Sequence, residues 1–165
     1  MMELFLKTLL EGLGMGALLA LVCAIGIRRG AVSMVHLYEP AVQDRCVSLG
    51  LTTKDKIKRN ALLFKLLCLP GYIAYVLVSV YAVNGARGFW PGFWQLFVIL
   101  SIMNLIDRFL IDDLWVGRTK AWVIPGTEDL MPYIPAGVKR RKWLAGTLGM
   151  VVLAAALAGI MTLCL

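Results

Sequence analysis

Charged residues are scarce in this chain: Asp, Glu, Lys and Arg make up 16% of its 165 residues, whereas hydrophobic residues make up 60%. So little polar surface cannot coat a water-soluble domain of this length. The composition therefore excludes the ordinary soluble classes and predicts an integral membrane protein.

Cysteine, histidine and the known catalytic motifs are also rare or absent. The four cysteines, Cys23, Cys46, Cys68 and Cys164, include no C-x-x-C pair, so we expect structural thiols rather than a zinc site or a disulfide framework. The single histidine is His36. No G-x-S-x-G, Walker, H-E-x-x-H or Rossmann glycine pattern occurs, so no established catalytic or nucleotide-binding signature is present.

Four apolar windows predict an all-α fold of four transmembrane helices, since a span needs about 20 apolar residues to cross a hydrocarbon core of about 30 Å. The predicted spans are 4–27, 61–83, 93 to about 114, and 143–165. Together they form a single membrane domain over residues 1–165. The first window is interpreted as a retained span rather than a signal peptide, because Arg28 and Arg29 follow the apolar run instead of preceding it.

Positive charge is concentrated on two of the three connecting segments. Of the 17 Lys and Arg residues, seven lie in the link 28–60 and six in the link 115–142, whereas the turn 84–92 holds only Arg87. By the positive-inside rule both long links are cytoplasmic and both termini face outward, in a multi-pass protein of the inner cell membrane. The basic residues indicate contact with anionic lipids, worth about 1 kcal/mol each. Nucleic acid is not an expected partner, because the basic clusters adjoin the spans and lack interleaved aromatics.

The first cytoplasmic link carries signals for two short helices. Glu39-Pro40 favours a helix that ends at Gly50, and Thr52 or Thr53 can cap a second helix that continues into the second span. The first of these helices has an apolar stripe, which places it against the bundle or at the lipid interface. Long polar links of this kind are common locations for function.

Small residues at four-residue spacing predict close contacts between the spans, within one subunit or between subunits of a homo-oligomer. They are Gly12 and Gly16 in the first span, and Ala145, Gly149, Ala155 and Gly159 in the fourth.

Ionisable residues interrupt the end of the third span. At 100° per residue, Arg108 and Asp112 share one helical row, Asp107 lies on the neighbouring row, and Asp113 points the opposite way. Arg108 and Asp112 are placed for an ion pair between residues i and i+4. Ionisable groups at the rim of a span are costly unless paired or hydrated, so they mark a candidate site. The alternative is a self-neutralising network that only stabilises the helix end.

The predicted topology brings polar residues of both long links to the same face as this helix end. We therefore predict a cytoplasm-facing polar cavity at the membrane interface, with Asp107, Asp112, His36 and Glu128 as catalytic candidates. The ligand-binding candidates are Arg108, Asn104, Tyr38, Glu39, Trp115 and Asp129. An alternative assigns Glu128 and Asp129 to a helix start after a Pro125-Gly126 turn. Carboxylates with one imidazole could hold Mg²⁺ or Mn²⁺, but no spacing matches a fixed motif, so the cofactor is unassigned.

Three classes of function are consistent with these patterns. The first is a protein that binds or modifies a lipid or an amphiphilic small molecule in the predicted cavity. The second is a small homo-oligomeric transporter, in which Glu11 is the candidate proton-coupling residue and Lys7 its structural partner. The third is a non-catalytic accessory or assembly subunit with a structural charge network. The charge map favours the first class over the second and separates neither from the third.

Overall fold

The computed structural model describes residues 2–165, most of which are helical and none of which lies in a strand. Four long helices are joined by two extended links and one short turn. The helices are α1 (Met2–Ile27), α2 (Pro40–Ser48), α3 (Lys54–Leu77), α4 (Phe89–Ile106) and α5 (Ala136–Cys164). The four long ones are apolar enough to cross a bilayer, which confirms an all-α fold with four candidate spans.

Two of the long helices continue in π-helical geometry. α3 extends through Val78–Val83, and α4 extends through Asp107–Val116. Continuous helix therefore covers Lys54–Val83 and Phe89–Val116. The π-helix is a rare geometry that often accompanies functional sites, and the longer of these two segments contains all of the ionisable residues predicted in the third span.

Local capping explains where the helices of the first link begin and end. Glu39 precedes Pro40 at the start of α2, and the positive φ of Gly50 (71°) closes its last turn. Gly50 N–H donates to Val47 and Leu51 N–H to Cys46, which is the Schellman pattern of a helix C-terminus. The Thr53 side chain accepts from the Lys56 N–H and caps α3, so of the two threonines it is the second that acts as the cap.

The central helix is α4, which packs between α1 and α5. A Cβ built on Gly12 would lie 2.8 Å from the Ile102 side chain, and one on Gly16 would lie 2.1 Å from Ile106. The small residues of α1 therefore allow close approach to α4 inside the chain. Gly149 and Gly159 of α5 have open space in front of them instead. The apolar window of α3 is only 6% buried, against 33% for α4, so most apolar side chains face outward.

The two long links pack together as a cap over one end of the bundle, which we call the link end. Their buried side chains form a hydrophobic core with the ends of α1, α3 and α4. The hydroxyl of Tyr38 donates to the Trp122 carbonyl at 2.6 Å and joins the first link to the second. The opposite end, which carries the turn between α3 and α4, is called the turn end. Lys7 of α1 reaches the carbonyl of Val83 there.

Candidate functional site: a cavity at the link end

A cavity of about 350 Å³ lies at the link end, between α1, α3, the π-helical end of α4 and the two links. Its walls combine three kinds of side chain. The charged ones are Glu39, Asp107, Arg108, Asp112 and Lys142; the aromatic ones are Tyr38, Phe64, Trp122 and Tyr133; the aliphatic ones and a thiol are Leu19, Cys23, Leu37, Ile111, Val116 and Ile134. The lining of the cavity is therefore amphipathic.

The charged lining residues are organised around Asp112. Its Oδ2 accepts from Arg108 Nη1 at 2.8 Å, the predicted pair four residues apart, and from Lys142 Nζ of α5 at 3.1 Å. Arg108 Nη1 also lies 3.3 Å from Asp107 Oδ2, but only Asp112 receives a hydrogen bond from the guanidinium. The side chains of Arg108 and Asp112 are 14% and 13% exposed, so this pair is shielded from water. Asp107, at 28% exposure, is the more accessible carboxylate.

The position of Asp113 corrects the prediction that it points away from the other acids. It forms an ion pair with Lys139 of α5, and it lines a smaller cavity of about 210 Å³ that shares Asp112 with the larger one. The 100° rotation per residue of an α-helix does not apply here, because residues 107–116 are π-helical and successive side chains lie closer together around the axis. Residues 139–142 place four cations in the first turns of α5, where the helix dipole disfavours positive charge. Asp112 and Asp113 face these turns, and their negative charge offsets part of this effect.

Several predicted residues do meet in the cavity. Tyr38 and Glu39 of the first link line it together with Asp107, Arg108 and Asp112 of α4. Their convergence follows from the link-end cap, because the Tyr38 hydrogen bond to Trp122 holds the start of α2 against the second link.

His36 does not line the cavity, and its predicted place there is wrong. Its ring packs against Phe64 with 5.3 Å between the ring centroids, and it is Phe64 that forms the cavity wall. Both ring nitrogens are buried and have no hydrogen-bond partner among residues 2–165. Burial lowers the pKa of His36 below its ordinary value, and the backbone of Ser33 acts in the opposite direction as the smaller effect. The imidazole is therefore held neutral behind the wall.

Glu128 is also outside the cavity, contrary to the prediction, because it is bonded within its own turn. Its Oε2 accepts from the Gly126 N–H at 2.8 Å. Asp129 forms an exposed ion pair with Arg45 at 2.9 Å and ties the second link to α2. The interpretation of this segment as a turn followed by a helix start is the better one, since a 3₁₀ helix covers Glu128–Leu130.

Asn104 and Trp115 lie beside the cavity without lining it. Asn104 is buried against α5, where a Cβ on Gly146 would lie 2.8 Å from Asn104 Oδ1. Trp115 packs edge-on against Trp122 at 5.4 Å between ring centroids and so supports the wall from behind.

Glu11 lies near the turn end, far along the helices from this cavity. Its Oε2 accepts from Asn84 Nδ2 at 2.9 Å, and the same amide donates to Gln95 Oε1 at 2.9 Å. Lys7 donates to Val83 rather than pairing with Glu11, so the partner assigned from spacing is wrong. The contact joins α1, α3 and α4 through neutral amides.

Sequence reasoning did not select Phe64, Trp122, Tyr133 and Lys142 as wall residues. Lys142 enters the sequence pattern only as one of the six basic residues of the second link. A signal for Lys142 was present, because Asp112 and Asp113 exceed the charge that Arg108 alone can neutralise. No pattern in the sequence around Phe64 predicts that it lines a cavity. It does so only because α3 packs beside the cavity.

Metal ligation finds no support in the geometry of residues 2–165, where no three His, Cys, Asp or Glu side chains come together as a ligand group. The imidazole that a mixed site would need is His36, which lies behind Phe64. The cavity carboxylates instead face basic side chains of α4 and α5.

Comparison of the chain with protein-family models, with curated proteins and with solved structures gives no match. The fold and the cavity alone define the class: a helical chain with four candidate membrane spans, compatible with a multi-pass membrane protein, and an amphipathic cavity beneath a cap formed by its two links.

Proposed function

We propose that this protein is a multi-pass protein of the inner cell membrane that binds a lipid or an amphiphilic small molecule in the link-end cavity. The observation that carries the proposal is the cavity itself, at about 350 Å³ with both charged and apolar residues in its lining. Small-molecule sites have this character: they are concave and mostly apolar, with a few convergent polar groups.

The orientation that we propose places the link end in the cytoplasm and both termini outside. Thirteen of the 17 Lys and Arg residues lie in the segments 28–60 and 115–142, seven in the first and six in the second. This asymmetry supports a cytoplasmic link end through the positive-inside rule. Anionic lipid headgroups are then neighbours of the cavity, and α2 lies close to the interface.

Within the cavity we assign Asp107, rather than Asp112, as the carboxylate available to the ligand. Asp112 already accepts hydrogen bonds from Arg108 and Lys142, whereas Asp107 has only the longer contact with Arg108. If the bound molecule is also modified, Asp107 is the general base, because a base needs an acceptor oxygen that is free.

A pair of neighbouring leucines on α1 tests the binding function. Leu19 lines the cavity, whereas Leu18 is 40% exposed on another face of the same helix. Leu19→Trp should fill the cavity, and Leu18→Trp should leave it open. We expect native mass spectrometry of the protein purified in dodecyl maltoside to show one retained amphiphile per chain in the wild type and in Leu18→Trp.

The Leu19→Trp protein should lose that retained mass while remaining folded, as judged by its circular dichroism and its elution volume. Retention of no molecule by the wild type, or equal retention by all three proteins, would contradict the binding function.

A further inference from the structure

The charges lining the link-end cavity do not cancel. Three carboxylates, Glu39, Asp107 and Asp112, face two cations, Arg108 and Lys142, and both cations donate to Asp112. Glu39 forms no ion pair within the part of the chain that the structure describes, residues 2–165. By formal charge, the lining therefore has one more carboxylate than it has cations.

Neighbouring charges do not reverse this balance. In the smaller adjoining cavity, Lys139 is paired with Asp113. Arg118 lines that smaller cavity but is exposed to solvent, where its charge is screened. An anionic group entering the larger cavity would meet Glu39 and Asp107 and would have to compete with Asp112 for both cations. A cationic group would meet carboxylates with unused acceptor capacity.

Four aromatic side chains also line the cavity, which adds a second and independent preference for cations. Tyr38 lies 5.2 Å from Tyr133 and 6.2 Å from Trp122 between ring centroids, and Phe64 completes the wall. Aromatic faces attract ammonium groups, and clusters of aromatic rings with carboxylates are the usual receptors for organic ammonium ions.

Internal hydrogen bonds hold this wall in place. Tyr38 donates to the carbonyl of Trp122, and the Tyr133 hydroxyl is hydrogen-bonded to Thr127 Oγ1 at 2.8 Å. Trp122 is 3% exposed, and its indole N–H is a buried donor without an acceptor in residues 2–165.

We propose that the link-end cavity takes an amphiphile headed by an organic ammonium group, with the ammonium between the aromatic wall and Glu39 and Asp107. The apolar part of the molecule lies against Leu19, Ile111 and Val116. This proposal rests on the proposed binding function and names its ligand class. The same chemistry is carried by the headgroup of an ethanolamine or choline lipid and by a free organic amine.

Three probes with the same eight-carbon chain test the preference: octyltrimethylammonium, octanol and octanoate, each titrated calorimetrically into the protein in dodecyl maltoside. We expect octyltrimethylammonium to bind at least about 10-fold more tightly than octanoate, a difference of about 1.4 kcal/mol. Glu39→Gln should weaken the cation by about 5-fold and leave octanol unchanged. Asp44→Asn removes the same charge from α2 at a site 69% exposed and outside the cavity, so it should change neither.

Failure of this inference is distinguishable from failure of the binding function. Saturable binding of octanol that Leu19→Trp abolishes, together with equal affinities for the three probes, would overturn the ammonium preference and keep the binding function. Absence of saturable binding for every probe would overturn both. Unchanged cation affinity in Glu39→Gln would also overturn the assignment of the ammonium position.

Lipids added to the micelles identify the source of the ammonium group. Competition with octyltrimethylammonium by phosphatidylethanolamine, but not by phosphatidylglycerol, supports a lipid headgroup as the ligand. Absence of competition by either lipid, with the cation preference intact, supports a free organic amine. Competition by phosphatidylglycerol alone would overturn the proposal, because that headgroup is anionic and carries no ammonium.

Discussion

At the scale of single residues, Asp112 determines the charge balance of the link end. It accepts from Arg108 on its own helix and from Lys142 on α5, and it is 13% exposed. Removing one partner from a shielded ion pair leaves the other charges uncompensated, which is far more costly than loss of an exposed pair.

We expect Asp112→Asn to lower the free energy of unfolding by about 3 kcal/mol, because it removes the negative charge that Arg108 and Lys142 share. Asp129→Asn is the matched control: Asp129 pairs with Arg45 at an exposed position, so its removal should cost less than about 1 kcal/mol. Denaturation of both variants in the same detergent measures the difference. Similar losses of unfolding free energy for the two variants would show that the shielded Asp112 ion pairs stabilise the fold no more than an exposed pair does.

His36 predicts a pH dependence of stability. Its pKa is lowered in the folded protein by burial, so near and below the ordinary value of about 6.5 the unfolded chain binds the proton more readily than the folded one. The stability due to neutral His36 is therefore complete above about pH 6.5 and is lost progressively as the pH falls below that value. The unfolding temperature should fall accordingly between pH 7 and pH 5.5.

The variant His36→Leu keeps an apolar side chain against Phe64 and removes both unpartnered nitrogens. We expect its unfolding temperature to fall less than that of the wild type over the same range, with the carboxylate contribution common to both. Parallel pH profiles for the two proteins would show that His36 does not titrate on unfolding.

At the scale of elements, the helices were predictable wherever a local signal exists. Apolar windows of about 20 residues predict the four long helices, and Pro40, Gly50 and Thr53 mark the boundaries of α2 and α3. The π-helical end of α4 was not predictable, since helical periodicity assumes a fixed 100° step. That failure displaced Asp113, which the α-helical projection put on the wrong side.

The contact between α1 and α4 predicts a strong difference between glycines. A Cβ at position 16 would lie 2.1 Å from Ile106, so Gly16→Val should separate the helices and cost about 1–3 kcal/mol of stability. Gly149 of α5 faces open space, and Gly149→Val should leave the fold unchanged. Thermal unfolding of the two variants in one detergent measures this.

The same pair reports on association between chains. If Gly149 lies at an interface between copies, Gly149→Val will shift the molar mass in light scattering without lowering the stability of the single chain. Equal destabilisation by the two substitutions would contradict the assignment of Gly16, rather than Gly149, to the packed face within the chain.

At the scale of the whole molecule, the cavity is a product of tertiary packing between segments distant in sequence. The charge pattern predicts that five of the cavity residues lie at the same end of the bundle, because topology alone decides on which side a link lies. They are Tyr38, Glu39, Asp107, Arg108 and Asp112. The charge pattern could not decide which side chains face one another there. His36 and Glu128 have the right chemistry at the right end, but Phe64 covers the first and a local turn holds the second.

The wall residues that complete the site illustrate the same limit. Phe64 and Trp122 become neighbours of Asp107 only when the two links fold over the bundle. No periodicity along one segment contains that information, because the hydrogen bond that closes the cap joins Tyr38 to the backbone of Trp122, 84 residues away.

The most direct test of the account is an experimental density map of the protein in dodecyl maltoside, determined without added ligand. The account predicts elongated density in the link-end cavity, with one end within about 4 Å of Asp107 or Glu39, the distance of an ion pair, and the other end against Leu19. A cavity that holds only water, or one closed by Phe64 against Asp107, would contradict it.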